Sequence, residues 1–220
     1  MPVRPTLVLL ALVLTGSPVL GETRFVVDPE AGNNTFSAVF DAAVGERITA
    51  VSSAVACTLR VDEEQLTGQA SCQVALTSIR VDNDDTKSDH FRQWATNKTI
   101  DPKKCVLKLE VPRLKLDGPV DAMKPVPFET EGIFTICGRA RDDKGSESIS
   151  GTILLLPPGS YRDVRTLRIR AKIEGFNRER YQVGPRWTDG WLARVQQLAP
   201  VVATDGTIEV NLFAAEPGKK

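Results

Sequence analysis

The chain has 220 residues, 28 basic and 28 acidic side chains, one histidine and four cysteines. A formal charge of zero gives no net electrostatic drive toward nucleic acid or an anionic membrane. A single histidine rules out a multi-histidine metal centre, and a 41% hydrophobic content is ample for one packed core.

Residues 1–21 carry one basic residue, Arg4, an apolar run from Leu7 to Leu14, and Val19-Leu20-Gly21 ahead of Glu22. This is the layout of a secretory signal peptide with a small-residue cleavage site. The apolar run falls short of the roughly 20 residues that span a bilayer, and no cysteine follows it to carry a lipid. The expectation is an exported chain, periplasmic or secreted, whose residues 22–220 form a single domain. Loss of Arg4 leaves 27 basic against 28 acidic residues, a formal charge of −1.

Strand signals then follow in order. Arg24 to Asp28 and Asn34 to Phe40 read as short strands, and Ile48 to Val61 with Gly68 to Ile79 as a long hairpin. Further strands are predicted over Cys105 to Val111, Glu129 to Cys137, Ser148 to Leu156 and Val164 to Glu174, with Pro157-Pro158-Gly159-Ser160 as a turn. In the last of these, Leu167, Ile169, Ala171 and Ile173 alternate with Arg168, Arg170, Lys172 and Glu174, the pattern of a half-buried strand. A closing strand is expected over Thr207 to Phe213. Two helices interrupt the pattern. One covers about Asp85 to Trp94; the other starts near Thr188 and sets Trp191, Val195 and Leu198 on one stripe. This pattern predicts an all-β fold, a barrel or a sandwich, with one or two short flanking helices.

Four cysteines in an exported chain suggest two disulfides. Strand alternation places Cys57 with Val55 and Leu59, and Cys72 with Val74. A hairpin centred between Glu64 and Gln65 sets Cys57 opposite Cys72. The same reasoning places Cys105 on the face of Leu107 and Leu109, and Cys137 on the face of Ile133. Of the three pairings four cysteines allow, this one is favoured. No Cys-x-x-Cys or Cys-x-x-Cys-His occurs, which disfavours a zinc site, a redox pair or attached haem. No cofactor is expected.

Catalysis finds little support. His90 lacks a Gly-x-Ser-x-Gly serine to activate, and reads as a helix-surface residue. Asp82-Asn83-Asp84-Asp85 lacks the glycine and distant glutamate of a calcium loop; it reads instead as an acidic helix start opposing the helix dipole. The basic row Arg168, Arg170 and Lys172 reads as a solvated strand face.

Four collinear segments carry a family likeness. Ser78-Ile79-Arg80-Val81 followed by Lys87-Ser88-Asp89-His90-Phe91-Arg92 resembles the strand end and Arg-Asp-x-His-Leu-Arg helix of the YceI family, lipocalin-like barrels of the bacterial envelope. Gly132-Ile133-Phe134-Thr135-Ile136-Cys137-Gly138 is similar to that family's Gly-x-Leu-Thr-Leu-x-Gly strand. Asn177-Arg178-Glu179-Arg180-Tyr181 is similar to its Asn-Arg-x-x-Phe turn, and Gly206 to Leu212 to its closing strand. The resemblance implies an all-β fold, an antiparallel lipocalin-like β-barrel of about eight strands with one or two short flanking helices, and a non-enzymatic protein that holds an isoprenoid or fatty-acyl lipid along the barrel axis. Alternation offers Val55, Leu59, Val74, Leu76, Leu107, Leu109, Ile133, Leu167, Ile169, Ile173, Val210 and Leu212 as inward ligand-binding residues, with Phe91 and Trp191 near an opening. Two rival readings stand beside it. One is a filled barrel that engages a second copy of itself or an envelope protein through Trp187 and Trp191; the other is a thiol-redox or haem-associated protein.

Overall fold

The computed structural model describes residues 21–42, 45–184 and 202–218. The signal-peptide reading of residues 1–21 therefore falls almost wholly outside the described residues, as does the second helix from Thr188 with Trp187 and Trp191.

Eleven strands are described: β1 Glu22–Val27, β2 Thr35–Ala42, β3 Arg47–Ser52, β4 Val55–Asp62, β5 Thr67–Ala75, β6 Arg80–Val81, β7 Val106–Leu116, β8 Val126–Ile136, β9 Glu147–Leu156, β10 Thr166–Asn177 and β11 Val202–Ala215. One helix, α1 Asp85–Thr96, lies between β6 and β7. Each strand is antiparallel to its neighbours, and β1 closes the sheet by pairing with both β4 and β11. The result is a closed eight-stave barrel. β1 and β2 form one broken stave, since both pair with β11; β3 and β4 form the next, pairing with β2 and β1 respectively.

The breaks have local causes. Asn34, almost wholly buried, donates to the Asp28 carbonyl at 2.9 Å and accepts from the Phe213 amide at 2.9 Å. Its amide thereby ties the β1–β2 interruption to β11. The expected hairpin strand over Ile48 to Val61 is divided at Ser53-Ala54, where Ser52 Oγ accepts from the Ala54 amide at 3.1 Å and contacts Ser78 Oγ at 2.8 Å. The other arm of that hairpin divides as well. Leu76–Ser78 form a 3₁₀ turn between β5 and β6, held by Ser78 Oγ donating to the Ala75 carbonyl at 2.7 Å.

α1 follows at once. Asp84 is its N-cap, accepting from the Lys87 amide at 2.9 Å, and Asn97 closes it in the left-handed conformation. The acidic run is thus a helix start, with Asp82 also accepting from Thr49 N and Lys87 Nζ, both at 2.8 Å. At the other end, Arg139 Nη2 donates to the Ala95 carbonyl and Arg139 Nε to the Tyr181 carbonyl at 3.1 Å, fixing the helix over the barrel.

Both disulfides pair as expected, Cys57 with Cys72 and Cys105 with Cys137, with Cα separations of 4.1 and 4.5 Å. Cys57 and Cys72 face each other directly across β4 and β5. The second bridge forms differently from the expectation. Leu107 pairs with Ile136, so β7 begins after Cys105 and β8 ends before Cys137. Cys137 has a positive φ of 50° and leaves the strand alternation there. Its sulfur lies 3.3 Å from the Ala95 carbonyl oxygen, beneath the end of α1.

Candidate functional site

The interior of the barrel carries two apolar cavities. The larger, about 130 Å³, lies beneath α1. Lys87, His90, Phe91 and Trp94 recur at the i, i+3, i+4 and i+7 positions of the helix and turn toward it. Phe36, Ala38 and Phe40 of β2, Ile48 and Ala50 of β3, and Val81 of β6 supply one wall. Leu107, Phe134, Ile136, Phe176 and Ile208 supply the other, with Arg178, Val183 and Val202 at its edge. The smaller cavity, about 60 Å³, is ringed by residues from all eight staves, and so lies on the barrel axis. Val55, Cys72, Val74, Leu109, Ile149, Ile173, Val210 and Leu212 line it, so the Cys57–Cys72 bridge is part of the lumen wall.

The polar side chains of the outer cavity, Lys87, His90 and Arg178, lie at the α1 end, and Gln73 and Lys172 are among the residues around the inner one. Lys87 and His90 are exposed on the rim; the hydrogen bond and charge of Asp82 hold the Lys87 ammonium above its ordinary pKa. Arg178 is buried and donates from Nε to Ala203 O at 3.0 Å, from Nη1 to Val183 O at 2.8 Å and from Nη2 to Val202 O at 2.9 Å. Burial pushes its pKa down. This residue is the arginine of the Asn-Arg-x-x-Tyr turn. Asn177 caps that turn by accepting from Glu179 N and Arg180 N at 3.1 and 3.3 Å. Tyr181, the turn's last residue, is fully buried. Its ring stacks on Phe176 at 4.9 Å and meets Phe134 edge-on at 5.6 Å, while Phe134 meets Phe176 edge-on at 5.2 Å.

The predicted site residues divide into four groups. Val55, Val74, Phe91, Leu107, Leu109, Ile173, Val210 and Leu212 line one cavity or both. Leu59, Leu167 and Ile169 are buried but line neither, and Leu76 is buried in the 3₁₀ turn rather than on a strand. Ile133 is a correction: it is 50% exposed on the outside of β8. The inward face of that strand is Gly132, Phe134 and Ile136, one residue out of phase with the alternation counted from Cys137. A Cβ on Gly132 would come 2.8 Å from Leu109 Cδ1 and 2.7 Å from Ile149 Cδ1. Trp191 lies outside the described residues.

Sequence reasoning missed Phe36, Ala38, Phe40, Ile48 and Ala50, although their alternation is plain in the sequence. It also missed Phe134 through the phase error, and Trp94, which sits one helical turn beyond Phe91.

His90 lies on the exposed helix surface, as expected, and on the cavity rim. Within the basic row, Arg168 lies over the Phe213 ring, 5.5 Å from its centroid, and Lys172 pairs with Glu174 at 2.5 Å. All four cysteines are bridged. No described helix is long and apolar enough to cross a membrane.

Comparison with known proteins turns on the fold. No family model matches the chain, and no curated protein matches it. Among solved structures, it is similar to a polyisoprenoid binding domain from Saccharophagus degradans implicated in plant cell wall breakdown. The TM-score is 0.53 at 13% identity, over 89% of this chain and 99% of that one. The fold is YceI-like. At that identity what the two proteins share is the barrel architecture.

Proposed function

We propose that the protein is an exported, non-enzymatic carrier that holds one apolar chain, isoprenoid or fatty-acyl, along the axis of the barrel. The carrying observation is the stacking of two apolar cavities on that axis, with Lys87, His90 and Arg178 on the outer one at the α1 end. An amphiphile fits this polarity: its chain points down the lumen, and its polar end lies beside Lys87 and His90. The polyisoprenoid-binding domain with the same fold supports the choice of ligand class.

Native mass spectrometry of the protein purified from its own envelope extract tests the reading. The expected result is an excess mass that lipid extraction resolves into an isoprenoid or acyl lipid, on a chain four hydrogens lighter than its reduced mass. A protein that is empty, and stays empty when offered such lipids, overturns it.

One observation favours a second reading. Ligand pockets usually measure about 300–1,000 Å³, well above the two volumes found. A filled barrel that works through its outer surface fits volumes this small, and would behave as the empty protein does in the same experiment.

A further inference from the structure

The two cavities share four lining residues: Phe36, Leu107, Phe134 and Ile208. These come from β2, β7, β8 and β11, so they converge from different parts of the wall on the level that separates the voids. We infer that these four side chains form a waist that sets the length of chain the barrel accepts, with Phe36 as the specificity-determining residue. The inference rests on the carrier reading and narrows it.

The volumes give the waist its consequence. A dry cavity of about 150 Å³ lined by aliphatic and aromatic side chains holds one benzene. The outer void, about 130 Å³, is therefore matched to about six carbons, counted from the rim at Lys87 and His90. A longer chain must displace the waist to reach the inner void. Phe134 is the poorer candidate to move, because its ring is held edge-on by both Phe176 and Tyr181. Phe36 faces the lumen from β2, opposite Ser52 on one side and Val210 on the other. Truncating it removes a phenyl ring from between the voids and joins them.

The test compares wild type with Phe36→Ala and Phe36→Leu, using hexanoate, octanoate, dodecanoate and hexadecanoate, with geraniol and farnesol as isoprenoid probes. Affinities come from isothermal titration, and circular dichroism confirms that each variant is folded. Each newly buried methylene raises affinity about fourfold. In wild type that gain should stop near the six-to-eight-carbon probes. In Phe36→Ala it should continue to dodecanoate, giving at least a tenfold gain over wild type for that probe and little change for hexanoate. Phe36→Leu should fall between, and it answers the question if the alanine variant does not fold. Val74→Phe, which fills only the inner void, should abolish the long-chain gain when combined with Phe36→Ala.

If wild type and the Phe36 variants show the same length profile, the waist is overturned and the carrier reading stands. If no probe binds any of them, both are overturned.

Discussion

Tyr181→Phe removes one oxygen and leaves a ring of nearly the same shape. Tyr181 is fully buried, and its hydroxyl donates to Glu147 Oε1 at 2.6 Å. Glu147 is itself buried, and Arg141 Nη1 approaches the same oxygen at 3.3 Å. A hydrogen bond to a charged group contributes about 1.5–3 kcal/mol, because its loss leaves a buried carboxylate short of a donor. At about 2–4 °C per kcal/mol for a chain of this size, the melting temperature should fall by about 3–12 °C.

The pH dependence separates this bond from simple packing loss. Burial, and then the hydrogen bond and charge of Glu147, raise the Tyr181 pKa. A folded pKa above the unfolded one favours the neutral phenol in the native state. That stabilisation is complete below the unfolded tyrosine pKa of about 10 and is lost as pH rises toward the folded value. Wild type should therefore lose about 1.4 kcal/mol per pH unit above pH 10 through this group, a slope that Tyr181→Phe lacks. Urea denaturation between neutral pH and pH 11 measures both effects. A neutral-pH change below about 0.5 kcal/mol, with the alkaline slope intact, would refute the assignment of this stability to the Tyr181–Glu147 bond.

Replacing Cys57 and Cys72 together by serine opens a crosslink spanning 15 residues; on the chain-entropy model it should cost about 3 kcal/mol. Equilibrium denaturation reads the loss, and a change near zero would mean that β4 and β5 already confine the unfolded hairpin. Gly151→Val should also destabilise. A Cβ there would come 2.2 Å from the Arg170 carbonyl oxygen and 2.7 Å from Phe128 Cζ, and overpacking of this kind costs about 1–3 kcal/mol or more. An unshifted urea midpoint would show that β9 can move away from β10 at this point.

The fold was legible in the sequence because alternation is a period-two signal that survives small errors at strand ends. The Glu64–Gln65 hairpin centre fixed the register of β4 on β5 correctly, with Cys57 opposite Cys72. What alternation does not carry is interruption. Ser53-Ala54 and Leu76–Ser78 break staves that read as continuous, because the hydroxyls of Ser52 and Ser78 offer the backbone local partners. Phase fails similarly at Cys137, whose positive φ takes it off the strand and turned an inference drawn from it one residue out of step. The 3₁₀ turn Arg178–Tyr181, capped by Asn177, was legible as a motif. Its role was not, since the Arg178 bonds to Val183, Val202 and Ala203 reach across 24 and 25 residues of sequence to the last two.

Whether such a barrel is hollow depends on pairs of facing positions rather than on single residues. Eight staves give an interior just wide enough to be filled by side chains or to hold one small ligand. Inward glycines open nothing here, because larger neighbours already occupy the space beside them: Leu109 and Ile149 at Gly132, and the Phe40 ring 2.5 Å from where a Gly206 Cβ would sit. The larger void lies instead beside Ala38 and Ala50, a cross-strand pair of small residues on β2 and β3. Above that pair the chain leaves the barrel wall through β6 and crosses as α1, whose Phe91 and Trp94 form a roof rather than a plug. Small residues meeting across a ladder beneath a helix leave a space that neither element can fill alone. The lumen thus owes its existence to the break in the first three staves, which brings α1 over the barrel end, and its depth to Phe36.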